Sequence, residues 1–305
     1  MPGNQTVLFI VGPTASGKTR LSLEIALQTH VEIVSADSRQ LYRHMDIGTA
    51  KPLPEERKRV PHHMIDILEP DADFNAGEYS RMARRIISEI FERGVQPLVV
   101  GGSGLYIKSI VDGIFEGETV DPALRQHLKQ RVKTEGSLSL HADLTRRDPD
   151  SAAKIHPNDA KRIIRALEIY TVTGRPASRM QQEETRPADF PYTMFGLRWD
   201  RTALCNRIDT RVDAMMGDGL IEEVSRLKKM GYEPELNSLD SVGYKEVFGY
   251  LSGARTLQET TDLIKQNTRR FAKRQMTWFR RDQRITWIDL EDPVNWGNLA
   301  QRIAT

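Results

Sequence analysis

The chain has 305 residues, 39% of them hydrophobic and 28% charged, which is the composition of an ordinary globular protein with room for a large core. Its formal net charge of +2 leaves any affinity for nucleic acid to local patches. A single cysteine excludes an intrachain disulfide and favours a reducing, cytoplasmic setting. No apolar run reaches the roughly 20 residues that span a bilayer, so we expect no membrane partner.

The first predicted elements are a strand, a glycine-rich loop and a helix. The apolar run from Val7 to Val11 precedes the loop, and an amphipathic stretch from Leu21 to Leu27 follows it. The loop has the spacing G-x-x-x-x-G-K-T and consists of Gly12, Pro13, Thr14, Ala15, Ser16, Gly17, Lys18 and Thr19. In such a loop the backbone N–H groups surround a polyphosphate, Lys18 adds a cation, and Thr19 offers a hydroxyl to Mg²⁺. The motif predicts a site for a di- or triphosphate with Mg²⁺ as cofactor.

Short apolar runs then alternate with helical patterns through the first hundred residues. The runs predict strands at residues 31–34, 63–68 and 97–100, and the pattern from about residue 75 to 93 predicts a helix. This alternation is typical of an α/β fold with a parallel sheet and crossover helices.

The pattern changes near residue 115. From residue 121 to about 186 it is entirely helical, strand character returns at 194–199, and a last strand is predicted at 285–288. A helical insertion in an α/β core explains this order better than two serial domains. We therefore predict a core of residues 1–114 and 191–305 and an all-helical insertion domain of residues 115–190.

Asp37 is the first candidate for a catalytic side chain. The buried strand at 97–100 ends in Gly101 and Gly102, where an ATPase normally has an aspartate that helps to hold Mg²⁺. Asp37 instead follows the second strand, and the carboxyl ends of parallel strands form the ligand crevice. It could bind a metal or act as a base. The alternative is an ordinary turn or N-cap aspartate.

Beyond these patterns, the sequence resembles the tRNA dimethylallyltransferases (tRNA isopentenyltransferases) of the bacterial type through nearly its whole length. Ser103 stands where that family more often has threonine, and the hydroxyl is retained. Besides the loop, the matching segments are residues 35–42, 45–52, 61–66, 100–106, 156–165, 241–246 and 272–278.

The resemblance implies a P-loop NTPase-like core with flanking helices and an insertion domain that binds tRNA. It also implies transfer of the dimethylallyl group of dimethylallyl diphosphate to N6 of the adenosine on the 3′ side of the anticodon. The expected acceptors are tRNAs that read codons beginning with U. The products are N6-(dimethylallyl)adenosine and diphosphate.

In that family an aspartate at the position of Asp37 is the general base, and the loop with Lys18 holds the diphosphate. An arginine of the later core helix also contacts the diphosphate. Arg211 is our candidate, and Arg207, four residues earlier on the same helical face, is the alternative.

The resemblance further implies that tRNA is bound by residues of the core and of the insertion. A basic segment from Lys265 to Arg284 also carries Trp278 and Phe279, and it predicts a track for the RNA backbone or, alternatively, a solvated helix face. The implied tRNA-binding positions are Asp37, Ser38, Arg39, Gln40, Ser103, Arg125, Lys161, Arg162, Ile163, Ile164, Arg165, Val242, Gly243, Tyr244, Lys245, Glu246 and Val247.

Three other functions fit parts of the sequence. A small-molecule kinase shares the loop and the aspartate, but it does not need the basic C-terminal helix. A prenyltransferase that acts on free adenine nucleotides would use the same chemistry, but the two basic regions favour a macromolecular acceptor. A protein that only binds tRNA would not need the complete loop together with Asp37. A monomer is the default expectation.

Overall fold

The computed structural model describes residues 6–115 and 121–304. The chain divides into two compact units: unit 1 comprises Met1–Ile110 and Asp189–Thr305, and unit 2 is Val111–Ala188. In the described ranges no helix combines the length and the apolar character needed to cross a membrane.

Unit 1 is built on a six-stranded sheet in which every pair of neighbouring strands is parallel. The strand order is β3-β2-β4-β1-β5-β6. The strands are β1 (Val7–Val11), β2 (Val31–Ser35), β3 (His62–His63), β4 (Gln96–Gly101), β5 (Tyr192–Trp199) and β6 (Ile285–Leu290). Every residue of β1 and β2 is buried, because parallel strands are covered by crossover helices on both faces. The predicted α/β class is confirmed.

Nine helices accompany the sheet in the described part of unit 1. Each parallel crossover needs a connection that returns the chain to the same end of the sheet, and helices supply it. They are α1 (Lys18–Ala26), α2 (Pro54–Arg59), α3 (Ala76–Glu92), α4 (Gly104–Val111), α10 (Arg201–Gly217), α11 (Leu220–Lys229), α12 (Tyr244–Leu251), α13 (Leu257–Phe279) and α14 (Trp296–Ala304). Helix α4 ends one residue beyond the boundary of this unit.

The strand predicted at residues 63–68 is wrong beyond its first residue. Strand β3 contains only His62 and His63, and the chain then turns through positive φ angles of 61° at Met64 and 55° at Asp66. The apolar alternation in this segment reflects burial of Met64 and Ile65 rather than an extended ladder. The turn directs the carboxylate of Asp66 to the buried Lys51 at 2.5 Å.

Helix α14 follows β6, the strand predicted as the last one from the sequence pattern. Its buried face consists of Trp296, Leu299, Ala300 and Ile303, which pack with residues of α1 and the sheet. The spacing of these four residues is that of an amphipathic helix.

Unit 2 contains five helices in its described residues: α5 (Pro122–Glu135), α6 (Ser137–Arg147), α7 (Pro149–Lys154), α8 (Ala160–Thr173) and α9 (Ala177–Glu184). They enclose a separate apolar core that includes Leu128, Leu140, Leu144, Ile163 and Leu167. The helical character predicted for residues 121–186 is confirmed.

A buried carboxylate organises the centre of unit 2. Asp148 is fully buried and caps α7 by accepting hydrogen bonds from the backbone N–H and the hydroxyl of Ser151, at 3.0 and 2.6 Å. It also accepts from the N–H and the hydroxyl of Ser178 in α9, at 2.9 and 2.6 Å. Burial raises the pKa of this carboxyl, but the four donors outweigh burial and hold the pKa below its usual value.

We expect Asp148→Ala to destabilise unit 2 by about 2–4 kcal/mol, because two buried serine hydroxyls lose a charged acceptor. The matched control Asp150→Ala removes an exposed carboxylate from the first turn of α7 and should cost less than about 1 kcal/mol. Thermal unfolding followed by circular dichroism measures both.

Because the folded pKa is depressed, the stabilisation by Asp148 is present above its ordinary pKa of 3.8 and lost at lower pH. Equal melting temperatures of Asp148→Ala and wild type would contradict this role.

Candidate active site

The glycine-rich loop joins the central strand β1 to the first turn of α1. Gly12, Ala15 and Gly17 have positive φ angles of 147°, 61° and 95°. A Cβ on Gly12 would lie 2.9 Å from the carbonyl oxygen of Leu197, so strand β5 also requires glycine there. Lys18 begins α1, and the loop therefore gathers backbone N–H groups at a helix N-terminus, the arrangement that binds phosphate.

Two tryptophans from distant parts of the chain support this loop. The indole of Trp199, at the end of β5, donates a hydrogen bond of 3.0 Å to the carbonyl of Ser16. The ring of Trp296 lies against Gly17, where any Cβ would overlap it. No local sequence pattern predicts either contact.

The two candidate arginines of α10 have different surroundings. Arg207 donates from Nε to the carbonyl of Ala15 at 3.1 Å, and its guanidinium lies 4.2 Å from the ring centroid of Trp199. Arg211 directs Nη1 to the hydroxyl of Thr14 at 3.4 Å. Burial lowers the pKa of Arg211 from its usual value, and the charge of Asp37 opposes that shift. Arg207 thus supports the loop backbone, whereas Arg211 contacts a polar side chain of the loop.

Lys18 is half-buried, and its ammonium group lies against the backbone of the loop. Its Nζ donates a hydrogen bond of 2.7 Å to the carbonyl of Pro13. Burial, together with the positive charge of Arg211, lowers the pKa of Lys18 to about 7, and Asp37 opposes the shift. At neutral pH this amine therefore exchanges readily between its charged and neutral forms.

Asp37 follows β2, and its two carboxylate oxygens have different surroundings. Its Oδ1 accepts hydrogen bonds from the N–H groups of Arg39, at 2.8 Å, and Gln40, at 3.4 Å. These bonds are those of a turn aspartate. Within residues 6–115 and 121–304, its Oδ2 has no hydrogen bond. One oxygen is thus fixed by the backbone and the other is left for a ligand.

These side chains line a cavity of about 480 Å³ that includes Lys18, Thr19, Asp37 and Arg211. A second cavity of about 770 Å³ lies along Ala15–Thr19 and α10. Both are lined by Lys18, Thr19, Ala50, Pro52 and Arg211. The phosphate-binding loop is therefore accessible from two cavities.

The glycines after β4 allow close packing against β2 and α13. A Cβ on Gly101 would overlap the carbonyl oxygen of Ala36, a Cβ on Gly102 would overlap the amide of Gln275, and a Cβ on Gly104 would overlap the indole of Trp278. The structure thus gives a steric reason for glycine where an ATPase has aspartate.

Gln275 bridges the loop and the end of β4. Its Oε1 accepts from the N–H of Thr14 at 2.9 Å, and its Nε2 donates to the carbonyl of Gly102 at 2.9 Å. Only 8% of this residue is exposed. No local sequence motif predicts this bridge, because its partners are distant along the chain.

A second buried carboxylate shapes another wall of the cavity. Glu223 of α11 accepts from the N–H groups of Asp46, Ile47 and Gly48 at 2.9, 2.8 and 3.1 Å. It also accepts from the hydroxyl of Tyr244 at 2.7 Å, and burial raises the pKa of that phenol well above its usual value. Glu223 thus ties residues 46–48 to the start of α12.

Most of the tRNA-binding positions expected in unit 1 lie on the first cavity. Gln40 also bonds internally: Nε2 donates to the carbonyls of Thr49 and Ala50 at 3.3 and 3.2 Å, and Oε1 accepts from Ser35 at 3.0 Å. Glu246 and Val247 are buried behind the wall. The positions on the cavity are Asp37, Ser38, Arg39, Gln40, Ser103, Val242, Gly243, Tyr244 and Lys245.

The expected tRNA-binding positions of unit 2 fall into two groups. Arg125 and Arg165 form ion pairs with the fully buried Glu168 at 2.8 and 3.0 Å, while Lys161 and Arg162 are exposed. The side chains of Ile163 and Ile164 are buried in the core of the unit.

The basic segment Lys265–Arg284 also divides. Lys265 and Arg269 pair with Asp213 and Asp209 of α10, and Arg284 pairs with Asp282. Five other cations of this segment form no ion pair with any described residue: Arg270, Lys273, Arg274, Arg280 and Arg281. Phe279 is buried and Trp278 is 39% exposed. The solvated-face interpretation thus fits one part of the segment and an RNA track fits the other.

A parallel sheet whose central strand leads into this loop defines an α/β protein of the P-loop type. Comparison with known proteins then identifies its family. A family model described as IPP transferase matches residues 40–282, and one described as isopentenyl transferase matches residues 5–69. The chain belongs to the tRNA dimethylallyltransferase family.

Individual relatives agree over nearly the full length. The tRNA dimethylallyltransferase of Geobacter sulfurreducens is 47% identical over 98% of this chain and 96% of its own. The Bacillus subtilis protein of the same name is 45% identical over 95% and 93%. The crystal structure of the tRNA isopentenylpyrophosphate transferase from Bacillus halodurans matches with a TM-score of 0.73 and 41% identity, covering 98% of this chain and 94% of that one. A eukaryotic dimethylallyltransferase acting on tRNA matches with a TM-score of 0.81 and 27% identity, covering 98% and 77%.

We expect Gly101→Ala to destabilise unit 1 by about 1–3 kcal/mol, because the added methyl group overlaps the backbone of Ala36, directly after β2, which cannot rotate away. The matched control is Gly217→Ala in α10, where a Cβ meets no atom within 4 Å. That change should be neutral or stabilising by up to about 1 kcal/mol. Thermal unfolding of the two variants distinguishes them. Unchanged stability of Gly101→Ala would contradict the close packing of β2 and β4.

Proposed function

We propose that the protein transfers the dimethylallyl group of dimethylallyl diphosphate to N6 of the adenosine on the 3′ side of the tRNA anticodon. The observation that carries the proposal is that one cavity is lined by the phosphate-binding loop, Arg211 and Asp37. Family membership supports the same reaction. In this reaction the bond between the allylic carbon and the diphosphate oxygen breaks, and a bond between that carbon and N6 forms.

The loop side of the cavity suits the leaving diphosphate. Allylic carbon gains cation character as the carbon–oxygen bond breaks, so negative charge builds on the diphosphate. Lys18, Arg211 and the loop N–H groups supply preorganised donors for that charge. Arg207, which holds the carbonyl of Ala15, keeps the loop in shape without being needed at the ligand.

The donor set also suits Mg²⁺. Among the described residues there is no group of three His, Cys, Asp or Glu side chains that could hold a metal by themselves. Mg²⁺ typically takes one or two protein oxygens and completes its shell with water and phosphate oxygens, and the hydroxyl of Thr19 fits that mode. When bound, the ion would neutralise charge on the diphosphate.

We assign the role of general base to Asp37. The exocyclic amine of adenine is a poor nucleophile because its lone pair is delocalised into the purine. A carboxylate that accepts the N6 proton as the new bond forms makes the attack easier. The two hydrogen bonds to Oδ1 orient the side chain, and Oδ2 is the oxygen that we assign to the proton.

We assign acceptor binding to the part of the cavity away from the phosphate-binding loop and to the basic surfaces. An adenosine inside a stacked loop must be swung out before its amine can react. We assign the unpaired cations of α13 and the exposed Lys161 and Arg162 of unit 2 to the phosphate backbone of tRNA.

Labelled dimethylallyl diphosphate, offered with tRNA, with AMP or with tRNA plus competing ATP, tests the reaction directly. We expect label on the tRNA adenosine and none on AMP. Label on AMP alone would assign the protein to the free-nucleotide prenyltransferases. Consumption of ATP with phosphate appearing on a small molecule would assign it to the kinases.

In the same assay Asp37→Asn keeps an oxygen for the N–H of Arg39 but cannot take a proton. Its turnover should fall by about 10²–10⁴-fold while its affinity for the donor is retained. Turnover near that of wild type would rule out Asp37 as the base.

The pKa of Lys18 predicts a pH dependence of diphosphate binding. Above pH 7 the free protein holds Lys18 mainly neutral, and binding an anion must recruit a proton. The measured quantity is the diphosphate affinity of wild type divided by that of Lys18→Met. This ratio should therefore fall by up to about tenfold for each pH unit above pH 7. Calorimetric titration of both proteins with inorganic diphosphate in Mg²⁺ measures the ratio, in which the ionisation of the ligand itself cancels. A ratio that stays constant from pH 7 to pH 9 would contradict the lowered pKa.

A further inference from the structure

Helix α13 exposes two aromatic side chains at the cavity that contains Asp37. All Phe, Tyr and Trp residues lie in the described ranges, and only Phe271 and Trp278 are exposed, at 40% and 39%. Both line the cavity. Exposed aromatic surface that is confined to the mouth of one site indicates a binding surface.

The spacing along α13 places these rings on one helical face. Arg274 lies three residues after Phe271 and four before Trp278, so the three side chains are neighbours on the same side of the helix. The Arg274 guanidinium lies 5.8 Å from the ring centroid of Phe271, in the range of a cation–π contact. The face therefore presents a row of two aromatic rings and a planar cation.

The backbone beneath Trp278 holds its ring in place. The indole lies so close to Gly104 that any Cβ there would overlap it. On the interior side of α13, Gln275 is fixed by its bonds to Thr14 and Gly102. Because the ring is already held in place, little side-chain entropy is lost when a base stacks on it, and this favours stacking.

Charge on α13 and directly after it selects the kind of ligand. Lys273 of α13, and Arg280 and Arg281 immediately after the helix, form no ion pair with described residues, and they add positive charge near the aromatic row. Aromatic rings combined with unpaired cations are the features that bind single-stranded nucleic acid: bases stack on the rings and the cations follow the backbone.

We propose that Phe271, Arg274 and Trp278 form a stacking platform for unpaired RNA bases next to the reacting adenosine. The platform rests on the proposed function for the identity of that adenosine. Swinging one base out of a loop removes stacking from its neighbours. The platform replaces part of that stacking at the mouth of the cavity, and it selects an open loop over a duplex.

Tryptophan emission gives a direct measurement, because the other three tryptophans, Trp199, Trp287 and Trp296, are buried or half-buried. An anticodon stem-loop RNA should quench the emission of wild type, and a fully paired duplex of the same stem should not. In Trp278→Phe the quenching should disappear, while affinity, measured by electrophoretic mobility shift, stays within about threefold of wild type. In Trp278→Ala the dissociation constant for the stem-loop should rise by about 5- to 100-fold.

Leu257→Ala is the matched control, because it removes an exposed apolar side chain from the far end of the same helix. Its affinity for the stem-loop should equal that of wild type. Phe271→Ala gives a second, independent test and should also weaken stem-loop binding. Circular dichroism confirms that each variant is folded.

Unchanged stem-loop affinity in both Trp278→Ala and Phe271→Ala would overturn the platform, as would a rise in the KM for the prenyl donor alone. Equal quenching by duplex and stem-loop would also overturn it. None of these binding measurements requires prenyl transfer. If wild type shows quenching that depends on Trp278 but does not prenylate tRNA, the proposed reaction fails and the platform stands.

Discussion

The bridge made by the Gln275 amide joins the two halves of the site. One end of the amide accepts from the phosphate-binding loop and the other donates to the backbone after β4. Since Gln275 belongs to α13, the same helix that carries the aromatic face also fixes the loop at Thr14. The placement of the diphosphate site relative to the acceptor side of the cavity depends on this bridge and on the glycines that let α13 approach.

Positive charge near the loop is balanced by few negative groups of the protein. Lys18 and Arg211 are both half-buried, Arg211 opposes the charged form of Lys18, and Asp37 offsets this only in part. Such a site is electrostatically incomplete without an anion. In the proposed reaction a diphosphate supplies the missing charge.

Local sequence patterns predicted the elements whose residues are neighbours along the chain. The strand, loop and helix from Val7 to Ala26 and the position of Asp37 at the mouth of the cavity follow from such patterns. The strand predicted at 63–68 is wrong beyond His63 because burial and strand alternation produce the same apolar spacing. The contact of Gln275 with Thr14 spans 261 residues, so no local pattern contains it. Family resemblance supplied the candidate roles of the site residues, which spacing alone left open.

The lowered pKa of Lys18 has a consequence for selectivity among anions. A ligand that binds near neutral pH must stabilise the protonated amine against burial and against Arg211. A singly charged anion exerts a weaker field on Nζ than a diphosphate does. In the proposed function, Lys18 therefore favours a diphosphate over a singly charged anion.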